Sequence, residues 1–244
     1  SYFMAVFILL YLFMIYNSFD VMMRDENFNS PQNLVTMLSM IIFFLIPGNL
    51  ISYAKRKGLL FRPSEVHFVF SAPVSPKMVL MFAGIKSFAV NVLVGLAIVL
   101  AGIMWFEASL LQVVVYFLFF VVFESILEAS CIIFCYGNEK LPKKFFTGLV
   151  VAAYAFMGFV VGIAAVLLIT REPSFGLLQN FFSMPMIQMV PVVGWNVAVT
   201  RLIFLGPDGV NIAGTVLFLV SAVLMFAAAW RMRCTGAYYE DAMK

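Results

Sequence analysis

Apolar residues in this chain come in long unbroken runs, not in the alternation of a soluble strand or the one-sided spacing of a surface helix. About 20 consecutive apolar residues let an α-helix cross the hydrocarbon core of a bilayer. Six runs approach or exceed that length: Phe3–Phe19, Asn33–Ala54, Met78–Trp105, Ser109–Tyr136, Phe146–Ile169 and Asn211–Trp230. A further apolar stretch, Leu177–Leu205, is broken by Pro185, Pro191 and Gly194. It predicts a re-entrant or interfacial pair of short helices within an outer segment, 171–210, because irregular backbone at membrane depth must be shielded by protein or line a wet cavity. No series of ten-residue alternating segments suggests a barrel. The predicted fold is all-α: one polytopic transmembrane domain over residues 1–244, with six spans and a broken hairpin between the fifth and sixth.

Composition supports this reading. The 244 residues are 64% hydrophobic and 11% charged, with a mean hydropathy of +1.05. A soluble domain carries about 25% charge, so a lipid bilayer is the expected surrounding and nucleic acid is not an expected partner. Ser1 opens directly on an apolar run, without a charged leader and a small-residue cleavage site. With the polar segment that ends at Lys244, this predicts a piece of a longer chain. Cys131 and Cys135 lie one turn apart in a span, where a bridge would distort the helix; with Cys234 they form no disulfide framework. The single histidine, His67, lies in another loop, which argues against metal ligation. Met184, Met186 and Met189 read as ordinary apolar residues of a chain with 16 methionines.

Charge predicts orientation. The loops after the second and fourth spans and the final tail, with short margins, hold 12 of the 15 basic residues: Lys55, Arg56, Lys57, Arg62, Lys77, Lys86, Lys140, Lys143, Lys144, Arg231, Arg233 and Lys244. Only Arg24, Arg171 and Arg201 fall on the other side. The positive-inside rule places the richer side, and both ends of the segment, in the cytoplasm of a multi-pass protein of the cell membrane.

The loop at 55–77 is organised. Arg62-Pro63-Ser64-Glu65 reads as a helix start, since proline suits the first turn. Val66, His67, Phe68 and Phe70 follow, and Ser71-Ala72-Pro73 stops the element before Pro76 and Lys77 open the third span. Exposed aromatics there suit either a docked protein partner or the headgroup layer. Phe70-Ser71-Ala72-Pro73-Val74-Ser75-Pro76-Lys77 resembles the "SAPVS" signature of membrane subunits of ABC-type exporters in the type-2 ABC permease group. Six spans with both ends inside, the broken outer hairpin, Met189–Trp195 leading to Arg201, and the Gly236–Ala242 junction are similar to that group as well.

The resemblance implies that Arg62 through Phe68, Phe70 and Ser71-Ala72-Pro73 form a coupling element seated in an ABC ATPase subunit. It also implies a second copy or a second transmembrane half. No GxxxxGK[ST] phosphate loop occurs in these residues. ATP and its magnesium ion would therefore sit on the partner, with no cofactor and no catalytic residue expected in this chain.

Glu124 and Glu128, four apart in the fourth span, lie on one helix face. Ionisable side chains in a span face the bundle interior or water. They read either as a substrate or ion path with Asn91, or as structural groups bonded to neighbouring helices or to Lys140 and Lys143. No further polar groups predict a pocket around them. Asn49 and Asn91 read as interhelical glue, and Gly158–Gly162 as a weak close-approach motif. Pro47-Gly48 predicts a kink, Trp105 and Trp195 outer anchors, and Trp230 an inner one. Pro185, Pro191, Gly194 and Arg201 are the candidate outer gate. The leading expectation is the transmembrane subunit of an ATP-driven exporter. An ion- or proton-coupled transporter or channel using Glu124 and Glu128 is the first alternative, and a non-transporting scaffold or immunity protein the second.

Overall fold

The computed structural model describes residues 29–54, 73–138, 141–170 and 175–234, and these are helical throughout, with no strand among them. The helices are α1 (Pro31–Ala54), α2 (Pro76–Trp105), α3 (Leu110–Phe119), α4 (Ser125–Gly137), α5 (Lys143–Thr170), α6 (Phe175–Ser183), α7 (Pro185–Gln188), α8 (Val193–Leu205) and α9 (Gly209–Arg231). A π-helical turn, Phe120–Glu124, joins α3 to α4. Among the described residues, five segments are long and apolar enough to cross a membrane: α1, α2, Leu110–Gly137, Lys144–Ile163 within α5, and α9. They match five of the predicted spans to within a few residues at each end. The predicted first span, Phe3–Phe19, lies outside the described residues, as do Arg62–Ala72 of the loop and the Gly236–Ala242 junction.

Local chemistry sets the helix ends. Ser75 caps α2, its side chain accepting from Met78 N, and Pro76 stands in the first turn where its missing N–H costs nothing. Ser109 and Gln112 form a reciprocal capping box on α3. Asp208 accepts from Val210 N at the start of α9. Pro47 lies inside α1 without ending it.

The helices are tied at their two ends and at mid-depth. At one end Ala54, Val79, Tyr136, Phe146 and Ala229 share a core, bringing together the C-terminal ends of α1, α4 and α9 and the starts of α2 and α5. At the other end Leu34, Phe106, Val113, Tyr116, Phe204 and Phe218 form a second core. A third holds Ile42 and Phe43 of α1 against Val160, Phe181, Phe182, Val193 and Val197. The long outer faces of α2 and α5 stay bare of protein, with Leu93, Leu100, Met104, Val151 and Phe159 exposed. In water such faces would drive aggregation; lipid tails are as apolar as leucine and leave no such drive.

The broken stretch forms α6, α7 and α8, a bent hairpin whose tip, Val190–Val193, lies beside Ile46 and Pro47 in the middle of α1. Trp195 belongs to the second core with its Nε1 buried and unpartnered, so it packs inside the bundle rather than serving as the surface anchor its position suggested. Among the described residues nothing lies within 4 Å of a Cβ built on Gly158 or Gly162.

Candidate functional site

Glu128 of α4 is held by neutral donors from two other helices. Tyr53 of α1 donates its hydroxyl to Oε1, and Ser87 of α2 donates to the same oxygen at 3.1 Å. Asn91 of α2 donates to Oε2 at 3.1 Å and to Ser125 Oγ at 3.1 Å. Glu124, one turn earlier, accepts from Asn196 of α8, itself 2% exposed. Among the described residues the partners of the pair are neutral side chains of neighbouring helices; Lys140 lies outside the described residues. Asn91 acts as the predicted interhelical link. Tyr53, Ser87 and Asn196 were not singled out in the sequence, although each is a polar residue within a helix of apolar neighbours.

The π-turn explains how the glutamates reach these partners. An i→i+5 turn carries one residue more than an α-turn, and π-turns recur at functional sites. One extra residue rotates everything after it by about 100°. The turn ends on Glu124, so it sets the face on which both carboxylates project.

That face borders a cavity of about 450 Å³. Its walls are α1 (Ile46, Pro47, Asn49, Leu50, Tyr53), the Glu124–Cys135 stretch, α5 (Phe145, Leu149, Ala152, Ala153, Phe156) and α9 (Ser221, Met225), with the hairpin tip Val190–Val193 at one end. The wall from Glu124 to Cys135 runs for about 16 Å at helical rise. The slot is almost wholly apolar, and among the described residues no Lys, Arg or His lines it. The expectation that the glutamates have no pocket around them is thus overturned. The missing polar neighbours come from α1, α2, α8 and α9, which the sequence separates and the bundle gathers.

The hairpin tip is strained. Val193 N donates to Pro191 O at 2.7 Å, closing a γ-turn on Val192, whose φ is +65° and ψ −56°. Positive φ on a β-branched residue is a genuine outlier, costing on the order of 1–3 kcal/mol. Gly194 allows α8 to lie on α7: a Cβ there would meet Ile187 O at 2.1 Å and Gln188 O at 2.9 Å. Of the four predicted gate residues, Pro191 lines the cavity, Gly194 permits the tight return and Pro185 starts α7. Arg201 does not join them: it lies further along α8, off the cavity wall, with its Nε buried and unpartnered.

At the far end of the bundle Lys77 fastens α2 to α9. Its ammonium donates to Trp230 O and, at 3.4 Å, to Met232 O, and lies 5.3 Å from the centroid of the Trp230 ring. A cation on the last carbonyls of a helix complements the helix dipole.

A family model described as "Putative ABC exporter" matches residues 1–244. The chain belongs to this family. Comparisons with curated proteins and with solved structures gave no match. Membership of the exporter family supports a transport role for this multi-pass membrane protein. Of the residues that the resemblance places in the coupling element, only Pro73 falls within the described structure. Lys77, the last residue of the predicted loop, ties the start of α2 to the end of α9.

Proposed function

We propose that this exporter-family chain is a transmembrane subunit moving a substrate outward, driven by ATP hydrolysed on a separate ABC ATPase. The observation that carries this reading is the family match over the whole of residues 1–244, in a sequence without a phosphate loop. The ATPase docks on the 55–77 loop through Arg62–Pro73, in the cytoplasm. A second copy or second transmembrane half completes the pathway. The membrane part has six spans, both ends cytoplasmic, and a re-entrant hairpin formed by α6 to α8.

The described geometry offers a route for the stroke. Movement of the loop displaces the start of α2. Lys77 carries that displacement to the end of α9, and α9 supplies Ser221 and Met225 to the slot. The strained Val192 turn gates the outer side. Coupling of this kind is a free energy shared between sites on different chains.

Purification from native membranes in mild detergent tests the reading. A stoichiometric phosphate-loop ATPase is expected to accompany the protein and to be lost when Phe68 and Phe70 become Ser. Recovery without an ATPase, under conditions that keep other membrane complexes whole, overturns it.

A further inference from the structure

We infer that the slot along α4 is a binding site for an amphipathic monovalent cation: an apolar body carrying a single positive charge. The inference rests on the transport reading for its role, and on the cavity alone for its chemistry. The volume of about 450 Å³ lies in the range of small-molecule sites, which are mostly apolar with a few placed polar groups. Among the described residues the charged groups are all of one sign. Glu124 and Glu128 both line the slot, and no described basic side chain does.

The two carboxylates are not equivalent. Glu128 accepts three neutral donors from α1 and α2, which fix it in the wall. Among the described residues Glu124 accepts one, from Asn196 of α8. Neutral donors spread a carboxylate's charge without cancelling it, so a cation between the two is attracted to both. Its apolar body fills the rest of the slot against Leu50, Leu149 and Phe156. An anion of the same shape meets only repulsion. Asn49 and Tyr53 add polar surface but no charge that would hold an anion. The ligand class is therefore set by sign as well as by hydrophobicity.

Tetraphenylphosphonium and tetraphenylborate are a matched pair for the test, nearly identical in shape and opposite in charge. Their binding to the full-length native protein in detergent is measured by equilibrium dialysis, without nucleotide. Saturable binding of tetraphenylphosphonium is expected, weakened at least about tenfold by Glu124→Gln, as expected for removing one partner of a desolvated charge pair. No saturable binding of tetraphenylborate is expected. Leu149→Trp fills the slot without touching a charge and is expected to abolish binding while the protein still elutes as a single species. It carries the test if Glu124→Gln fails to fold. Equal binding of the two probes, or tetraphenylphosphonium binding unchanged by whichever of these variants folds, overturns the inference. Because no ATPase is present, probe binding in a protein that never recruits an ATPase removes the ATP-driven reading and keeps the site. ATPase recruitment without probe binding removes the site alone.

Discussion

Glu128 and Glu124 stand one turn apart on the same helix, yet they do different work. Glu128 is stitched to α1 and α2 by Tyr53, Ser87 and Asn91. Glu124 has a single bond to Asn196 on the hairpin helix α8. One end of the acidic wall belongs to the bundle, and the other to the element that carries the strained turn. A carboxylate in a span is costly, and the same cost is met here in two ways: by saturation at Glu128, and by sparse bonding beside a cavity at Glu124. The first suits a hinge post that must not move, the second a contact that can be exchanged for a ligand.

The contrast is broken most directly by removing each carboxylate in turn. Glu128→Leu removes the acceptor shared by Tyr53, Ser87 and Asn91, of which Asn91 keeps its bond to Ser125, and is expected to lower stability by about 3 kcal/mol, read as the midpoint of denaturation in mild detergent. Glu124→Leu leaves only Asn196 unpaired and is expected to cost about 1 kcal/mol. Equal losses would show that the two carboxylates share one role.

The hairpin side sharpens the same contrast. Gly194→Ala drives a Cβ into the carbonyls of α7, which are backbone and cannot step aside; a loss of about 2 kcal/mol is expected in the same denaturation assay. Gly162→Ala, whose added Cβ meets nothing within 4 Å among the described residues, is expected to stay within about 0.5 kcal/mol of the parent or to gain slightly from helix propensity. Lys77→Met removes the tie between α2 and α9 and is expected to cost about 1 kcal/mol. Its sharper readout is functional: the ATPase still binds, and hydrolysis no longer responds to substrate. Asn91→Ala removes one donor from Glu128 and the bond to Ser125 and is expected to cost about 0.6 kcal/mol, the usual worth of a polar contact between spans; a small melting shift checks it.

How much of this was legible in the sequence follows from which forces act locally. Span positions were, because hydropathy is a sum over neighbours in the chain; the Pro76 start of α2 and the breaks at Pro185 and Pro191 fall where expected. That Glu124 and Glu128 share a helix face was legible too. Their partners were not. Ser87 and Asn196 look like incidental polar residues until the rotation of each helix is known, and the π-turn that sets the rotation of α4 has no signature in Phe120–Glu124. The cavity was hidden for the same reason, since its walls come from five stretches of chain that only packing brings together. Arg201, which the resemblance groups with the Met189–Trp195 stretch, is not on the slot wall; its side of α8 is set by packing that chain order does not reveal.

The most direct test of the account measures ATP hydrolysis by the protein reconstituted with its co-purifying ATPase in proteoliposomes, with and without tetraphenylphosphonium. The account predicts stimulation by the cation in the parent, lost in Glu124→Gln and in Lys77→Met while basal hydrolysis persists. Hydrolysis indifferent to the cation and to both substitutions would contradict a link between the loop, the α2–α9 tie and the acidic slot.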